Sequence, residues 1–284
     1  MTDQFDFDQL WDYNQPSLTE RQFRQILDSL EDEEADYRLQ LLTQIARTQG
    51  LQRNFEQAHQ TLDEVETQLS DSTVIARIRY ALERGRVFNS SNFPEKARTY
   101  FLDAFDLAQA AGQDAFAVDA AHMVAIVEPP AQQLEWNLKA LHLAENSPSK
   151  RAQKWLGSLY NNIGWTYHDL KQYDAALTIF EKAVVWQEAN GQAENIRIAQ
   201  WCVARTLRSL GRIPEAMRIL REIEPQNDGY VYEELGECLL LIGKAAESQP
   251  YFARAYQELS KDDWLAANEP ERLKRLSELG KTAA

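Results

Sequence analysis

Small residues recur along the chain in pairs whose members stand twelve positions apart, and large apolar residues follow each pair at fixed distances. The five pairs are Ala46 and Ala58, Gly85 and Ala97, Gly164 and Ala176, Ala204 and Ala216, and Gly236 and Ser248. Four positions after the second member come Leu62, Phe101, Phe180, Leu220 and Phe252, and three positions later come Val65, Ala104, Ala183, Ile223 and Ala255. A small residue on each of two helices permits a short interaxial distance, and a large residue one turn later fills the groove between them. The pattern therefore predicts a series of helical hairpins.

A sixth, weaker copy of the pattern begins at Ala121 and returns at Ala140, with Gln133 and Asn137 off the pattern. The first-helix anchors at positions 46, 85, 121, 164, 204 and 236 lie 32 to 43 residues apart. Each interval has room for two helices of about a dozen residues and two turns. Repetition at such a period is typical of a solenoid. We expect an all-α solenoid of about six hairpins over residues 35–260.

Both ends of the repeat array carry a further apolar helix pattern. Residues 1–34 combine an acidic segment with a helix that opens at Pro16 and has Phe23, Ile26, Leu27 and Leu30 as its apolar face. Residues 261–284 contain a short charged helix with leucines at 273, 276 and 279, followed by Gly280. Terminal repeats of a solenoid must cover an exposed apolar face. We therefore predict a capping helix at each end.

One family resemblance is carried by the fourth and sixth copies. The stretch Tyr160-x-x-Ile163-Gly164-x-x-Tyr167, with Tyr173-x-x-Ala176, Phe180 and Ala183 after it, resembles a tetratricopeptide repeat. A second match is Tyr232-x-x-Leu235-Gly236-x-x-Leu239 with Phe252 and Ala255. The longer copies resemble repeats of the kinesin-light-chain type. The resemblance implies a right-handed superhelix whose concave groove binds a protein or peptide partner.

The net charge of −14 changes the expected partner class. Nucleic-acid binding depends on a basic footprint, so an acidic chain argues against a nucleic-acid partner. Residues 1–36 hold eleven acids against Arg21 and Arg24, and thus carry −9 of the total charge. No apolar run approaches the length of a membrane span, and two cysteines do not suggest a disulfide framework. We expect a cytoplasmic protein with no membrane partner.

Motifs for catalysis or metal binding are absent from the sequence. The four histidines are scattered, and the chain has no His-Glu-x-x-His, Cys-x-x-Cys or Gly-x-Ser-x-Gly motif. Cys202 and Cys238 occupy first helices of successive copies, where buried small residues are expected. The sequence therefore predicts a protein that is not an enzyme and requires neither a metal nor a cofactor.

The first helices carry a second stripe beside the packing face, and the resemblance implies that this stripe lines the groove. The candidate groove residues are Arg47, Arg79, Arg86, Asn161, Trp165, His168, Trp201, Arg205 and Arg208. Arginine holds a carboxylate through two hydrogen bonds, and tryptophan supplies a large contact area at low entropic cost. The expected ligand is an acidic peptide segment or a C-terminal carboxylate. The alternative is that these arginines pair with acids on neighbouring repeats, which requires no ligand.

Two functional alternatives remain open. The first is a regulatory sensor that changes curvature when a peptide binds, by analogy with quorum-peptide receptors built from similar repeats. The second is the carboxylate-clamp subtype that docks chaperone C-termini. The clamp lysines are missing here, and only Asn161, Arg205 and Arg208 fit loosely. An interaction scaffold is therefore the favoured interpretation.

The N-terminal segment interleaves aromatic residues with carboxylates: Phe5-Asp6-Phe7-Asp8-Gln9-Leu10-Trp11-Asp12-Tyr13. Such a segment has the composition of a ligand for a basic groove that contains tryptophan. It could dock in its own groove or mediate self-association by reaching a second copy. The favoured interpretation is that its apolar residues pack under the N-terminal capping helix. The acidic run at 31–34 is interpreted as a solvated connector.

Overall fold

The computed structural model describes residues 6–30, 35–223 and 228–281, and the acidic run at 31–34 lies outside them. The described residues form helices and turns, without a β-strand. The helices are α1 Pro16–Ser29, α2 Ala35–Leu51, α3 Phe55–Glu66, α4 Val74–Ser90, α5 Pro94–Ala110, α6 Asp114–Val127, α7 Pro130–Asn146, α8 Lys150–Gln153, α9 Leu156–Asp169, α10 Tyr173–Asn190, α11 Ala193–Ser209, α12 Ile213–Glu222, α13 Gly229–Leu241, α14 Ala245–Leu259, α15 Asp263–Asn268 and α16 Pro270–Leu279. A short 3-10 helix, Phe7–Leu10, precedes α1. The all-α prediction is confirmed.

The small-residue anchors lie where the pattern predicts. The six first-helix anchors fall in α2, α4, α6, α9, α11 and α13, and the next long helix along the chain supplies the second member of each pair. At Gly85 and Gly236, an added Cβ would lie closer than 3.0 Å to ring atoms of Phe101 and Phe252. At Gly164 an added Cβ would lie even closer to ring atoms of Phe180. The predicted packing of a large ring against a small residue is therefore confirmed.

The turn within five of the hairpins uses one left-handed residue. The residues with positive φ at this place are Arg53, Asn92, Lys171, Gly211 and Gly243. In each turn, the next amide donates to a carbonyl five residues earlier, as when Gln172 N donates to Tyr167 O at 2.9 Å. These hydrogen bonds satisfy carbonyls that the end of the first helix leaves free. The repeats thus share a turn geometry although only two of them place glycine there.

Both predicted capping helices are present. Proline is the first residue of α1 and of α16, and Gly280 is the C-cap residue of α16. Phe23 of α1 is fully buried in a core cluster with residues of α2 and α3. Leu273 and Leu276 of α16 join a cluster with Phe252 of α14. Each cap covers apolar surface of the neighbouring repeat, as a solenoid end requires.

The irregular third copy keeps its two helices but changes their contacts. Pro129 precedes α7, and Pro130 is its first residue, where a missing amide hydrogen costs nothing. Asn137, which lies off the pattern, is buried, and its Oδ1 lies 3.4 Å from Nδ1 of His122. Burial lowers the pKa of His122 below its usual value. A polar pair thus replaces the apolar contact of the other copies.

The chain divides into two compact units, residues 1–159 and residues 160–284. Unit 1 holds the N-terminal segment, α1 to α8 and the start of α9, whereas unit 2 holds the rest of α9 and α10 to α16. No helix of the described residues is long and apolar enough to cross a membrane.

Candidate functional site

Two of the three candidate arginines of unit 1, Arg47 and Arg86, lie around one buried carboxylate. Glu83 of α4 is almost fully buried, and its Oε1 accepts from Arg47 at 3.2 Å and from Arg86 at 2.7 Å. Gln44 Nε2 donates to the same oxygen at 3.3 Å. The other oxygen, Oε2, has no hydrogen-bond partner among the described residues. Glu83 therefore retains one buried acceptor, which an added donor could use only if neighbouring side chains moved to expose it.

Arg86 is held from a second side as well. Its Nη2 donates to both carboxylate oxygens of Asp119 on α6, at 2.5 and 2.7 Å. Burial alone would lower the pKa of Arg86, but the charges of Asp119 and Glu83 outweigh burial and raise the pKa above its usual value. Arg86 therefore stays charged, and carboxylates of unit 1 already balance its charge. It is less available to a ligand than Arg47.

The third arginine, Arg79, binds the N-terminal segment. We call residues 6–13 the N-terminal strap. Arg79 donates to the Asp8 carboxylate at 3.1 and 2.5 Å, and Arg151 of α8 donates to the same carboxylate. The guanidinium carbons of Arg79 and Arg151 lie 5.1 and 5.4 Å from the ring centroid of Phe116. The strap thus joins α4 to α8 through one carboxylate.

The electrostatic state of Asp8 follows from these contacts. Burial alone would raise the pKa of Asp8, but the two guanidinium groups outweigh burial and lower the pKa below its usual value. Asp8 therefore remains ionised at neutral pH, and charge-assisted hydrogen bonds hold the strap.

Apolar and aromatic contacts fix the rest of the strap. Phe7 is only 3% exposed and packs edge-on against Phe23 and Tyr37, with ring centroids 5.8 and 5.2 Å apart. Trp11 Nε1 donates to Gln44 Oε1 at 3.2 Å, and the guanidinium carbon of Arg47 lies 5.5 Å from the Trp11 ring centroid. The strap therefore packs under the N-terminal capping helix and also contacts candidate groove arginines of the same chain.

A pocket of about 630 Å³ remains open beside the strap. Its lining includes Asp6 and Tyr13 of the strap, and Arg47 and Glu83 of the first helices. A basic wall of Lys150, Arg151 and Lys154, with Trp155 beside it, completes the lining. Among the described residues, no carboxylate lies within 4.0 Å of Lys150 or Lys154. Two cations of the wall therefore face the pocket without an ion-pair partner from the described chain.

In unit 2 the candidate tryptophans form an aromatic ladder with Tyr230. The ring centroids of Trp165 and Trp201 lie 5.8 Å apart, and those of Trp201 and Tyr230 lie 6.0 Å apart. Trp201 Nε1 donates to the Tyr230 carbonyl at 3.2 Å. The ring centroids of His168 and Trp165 lie 5.2 Å apart, and His168 Nε2 lies 2.9 Å from Ser209 Oγ. The sequence stripe is thus a continuous aromatic surface across α9, α11 and α13.

Asn161 and its neighbour Cys202 belong to the packed part of this surface. Asn161 Oδ1 accepts from Cys202 Sγ at 3.9 Å. Cys202 and Cys238 are both free and buried, as the sequence predicts, and burial raises the pKa of each thiol to about 12. A protonated buried thiol is a poor nucleophile.

The two arginines of unit 2 share one buried acid. Arg208 Nε donates to Glu234 Oε2 at 2.6 Å, and Arg205 donates to Glu234 Oε1. The Glu234 side chain is 2% exposed. Burial raises the pKa of Glu234 to about 7, although Arg208 opposes the shift. These arginines therefore have the neighbouring-repeat partner that the alternative interpretation describes.

Sequence reasoning missed several residues at both surfaces. The overlooked residues are Phe116, Lys150, Arg151, Lys154, Trp155 and Tyr230. The run Lys150-Arg151-Ala152-Gln153-Lys154-Trp155 is a visible cluster of three cations and an aromatic residue, and it could have been found. The partnership of Arg151 with Asp8 could not, because 143 residues separate them.

Comparison with known proteins supports the repeat assignment. Residues 157–190 match the family described as Tetratricopeptide repeat. No curated protein matches the sequence. Among solved structures, the chain is similar to a signal transduction ATPase with numerous domains that carries a tetratricopeptide repeat sensor, from Pyrococcus horikoshii. The TM-score is 0.73 at 13% identity, over 92% of this chain and 41% of that protein. The chain thus spans about two fifths of that protein.

Two further structures share the fold. One is the apo form of RapI, with a TM-score of 0.72 at 12% identity over 94% of this chain and 81% of RapI. The other is the apo form of the quorum sensor NprR from B. thuringiensis, with a TM-score of 0.63 at 15% identity over 96% of this chain and 79% of NprR. At these identities the likeness concerns the fold alone. The kinesin-light-chain resemblance stays a prediction.

Proposed function

We propose that this chain, a tetratricopeptide-repeat protein, is a non-enzymatic interaction scaffold that binds an acidic segment of a protein or peptide in the pocket of unit 1. The observation that carries the proposal is the basic wall of α8 and its surroundings, where Lys150 and Lys154 face the pocket without a carboxylate from the described chain. A ligand carboxylate, from an acidic side chain or from a C-terminus, would neutralise them at little cost. Opposite charge at such a surface contributes chiefly to specificity and to the rate of association.

The pocket also favours a peptide over a simple anion. Glu83 Oε2 is a buried acceptor without a donor among the described residues, and an unpaired buried acceptor costs about 1–3 kcal/mol. A backbone amide of a bound peptide would satisfy this oxygen once neighbouring side chains move to expose it, while acidic side chains of the peptide meet the lysines. Phe116 and Trp155 provide aromatic surface beside the cations. The volume of about 630 Å³ lies within the usual range for a ligand pocket.

The candidate residues of unit 2 enter the proposal as a second contact surface. Trp165, Trp201 and Tyr230 offer aromatic area, His168 packs against Trp165, and Asn161 lies in the packed part of the surface beside Cys202. Arg205 and Arg208 already neutralise Glu234, so apolar contact should contribute more here than charge. We expect Trp201→Ala to weaken binding of a partner that spans this surface, and Arg205→Ala to have the smaller effect.

A peptide-display experiment tests the proposal. We expect random peptides selected on the wild-type chain to be enriched in Asp, Glu and aromatic residues, and their affinity to fall as salt rises. The double variant K150E/K154E should lose this enrichment. The matched control K261E/K274E makes the same charge change on exposed lysines of unit 2 and should retain it. Selection of neutral or basic peptides, or an unchanged profile for K150E/K154E, would refute the proposal.

The sensor alternative is favoured by one feature, the strap that lines the pocket and joins α4 to α8. A ligand that moves the strap would alter unit 1, whereas a ligand that only fills the pocket would not. Small-angle scattering with a selected peptide separates the two functions. A scaffold keeps its radius of gyration on binding, and a sensor changes it.

A further inference from the structure

We propose that the N-terminal strap is a tethered competitor, in which Asp8 occupies the place on Arg79 and Arg151 that a carboxylate of the incoming peptide takes. The inference rests on the proposed function, and it specifies the ligand further. The strap places Phe7 directly before the acid and Trp11 three residues after it. The favoured partner is thus an acidic segment with aromatic residues at this spacing.

The first support is the chemistry of the Asp8 contact. Both guanidinium groups converge on one carboxylate, and both lie near the ring of Phe116. Any carboxylate could reproduce this contact, because Arg recognises the group by its planar pair of oxygens. A preceding aromatic residue could also lie against Arg79, as Phe7 does with its ring centroid 5.1 Å from the guanidinium carbon. The adjoining pocket is open and carries two further lysines that no carboxylate of the described residues pairs with. A peptide with several acids therefore gains contacts that the strap alone does not make.

The second support is the uneven attachment of the strap. Its two ends are anchored: Phe7 is buried against Phe23, and the Asp12 amide donates to the buried Thr19 hydroxyl at 3.1 Å. Between them, Asp8 meets Arg151 at a guanidinium whose side chain is about half exposed. A competing carboxylate can therefore reach Arg151 from solvent without first removing Phe7 from the core.

The third support is the strength expected of a tethered group. A segment linked to its site by a short chain competes at an effective concentration on the order of millimolar. Because the pKa of Asp8 is lowered, the competitor stays charged throughout the neutral range and does not release on mild acidification. Release therefore depends on a rival carboxylate and not on pH.

Direct binding measurements test the competitor. The probe is a labelled, N-acetylated peptide with the sequence of residues 6–13, Asp-Phe-Asp-Gln-Leu-Trp-Asp-Tyr, titrated into the full chain. We expect Asp8→Asn to bind this probe about tenfold more tightly than wild type, since the tethered carboxylate no longer competes. Asp6→Asn is the matched control, because it removes one strap charge that has no ion pair with an arginine among the described residues. Its affinity should stay within about twofold of wild type. Asp8→Glu, which keeps the charge, should resemble wild type.

Each outcome separates the competitor from the proposed function. If neither this probe nor the display-selected peptides bind any variant, the proposed function fails. If selected peptides bind wild type and Asp8→Asn equally well, the pocket stands and the competitor is wrong. Weaker binding by Asp8→Asn also overturns the competitor, because Asp8 would then belong to the ligand site.

A measurement on the wild-type chain covers the case in which Asp8→Asn does not fold. Chymotrypsin cleavage after Trp11 reports on the strap, since Gln44 and Arg47 hold Trp11 in the folded structure. We expect a saturating selected peptide to increase this cleavage severalfold. Unchanged or reduced cleavage would mean that the ligand leaves the strap in place.

Discussion

Asp8 and Arg79 lie 71 residues apart in the chain and are joined by two hydrogen bonds of 3.1 and 2.5 Å in unit 1. The Arg79 side chain is 8% exposed, so its charge has little access to water. Burying an arginine without a partner is costly, and the strap supplies that partner. The N-terminal strap is therefore part of the packed structure of unit 1 as well as a wall of its pocket.

The first prediction concerns stability. Asp8→Asn leaves Arg79 without its carboxylate and should lower the free energy of unfolding by about 1–3 kcal/mol at neutral pH. Asp6→Asn, on the same strap, should change it by less than about 0.5 kcal/mol. The pKa of Asp8 is lower in the folded chain than its ordinary value of 3.8, so its contribution is present above that value. The contribution is lost as pH falls through the folded-state pKa.

Urea titrations of the three proteins at several pH values check this expectation. The difference between wild type and Asp8→Asn should shrink in acid as the carboxylate is protonated. A difference that persists unchanged in strong acid would show that the ion pair is not its source.

The second prediction concerns the close helix contacts. Alanine usually stabilises a helix by about 1 kcal/mol relative to glycine. At Gly164 the added methyl group would collide with the fully buried ring of Phe180, so Gly164→Ala should destabilise the chain by about 1–3 kcal/mol.

Gly50 is the matched control, because its added Cβ would meet Val87 at an ordinary 3.5 Å. Gly50→Ala should therefore be neutral or stabilising by up to about 1 kcal/mol. Thermal unfolding followed by circular dichroism measures both. Equal effects at the two positions would contradict the steric account.

The third prediction concerns the hairpin turns. Lys171 has φ +59°, where a side chain clashes with the backbone, whereas Gly211 occupies the equivalent turn with φ +76°. Lys171→Gly should raise stability by about 0.5–1 kcal/mol, and Gly211→Lys should lower it by about 1–2 kcal/mol. The reciprocal signs provide the control, and urea midpoints provide the measurement. The same sign at both positions would mean that turn geometry is not decisive.

The fourth prediction concerns Glu234 and its two arginines. Arg208→Glu places a second carboxylate beside a buried one and should destabilise unit 2 by about 3–5 kcal/mol. Adding Glu234→Arg restores an opposite pair and should recover part of the loss. A double-mutant cycle from urea unfolding measures this coupling. Additive effects would show that the pair is not coupled, and charge reversal at Arg208 could then serve as a clean test of ligand binding.

Much of the fold could be predicted because its signals are local in sequence. A small residue and a large ring sixteen positions later, such as Gly164 and Phe180, identify the two helices of a hairpin and their contact. Pro16 before an apolar stripe located the N-terminal capping helix, and three leucines followed by Gly280 located the C-terminal one. The partners of the candidate groove residues were harder to predict, because a stripe on one helix does not reveal which side chain faces it from the next helix. The sequence therefore does not show that Arg205 and Arg208 share Glu234 as a partner, whereas the structure does.

The sequence by itself determined the repeat, its all-α class, the capped ends and the acidic-aromatic character of the strap, since spacing and composition specify these directly. Only the tertiary structure decided that Asp8 joins Arg79 to Arg151, and that Lys150 and Lys154 flank an open pocket. The physical reason is that an ion pair depends on where folding brings two charges, whereas helix periodicity depends on neighbours a few residues away.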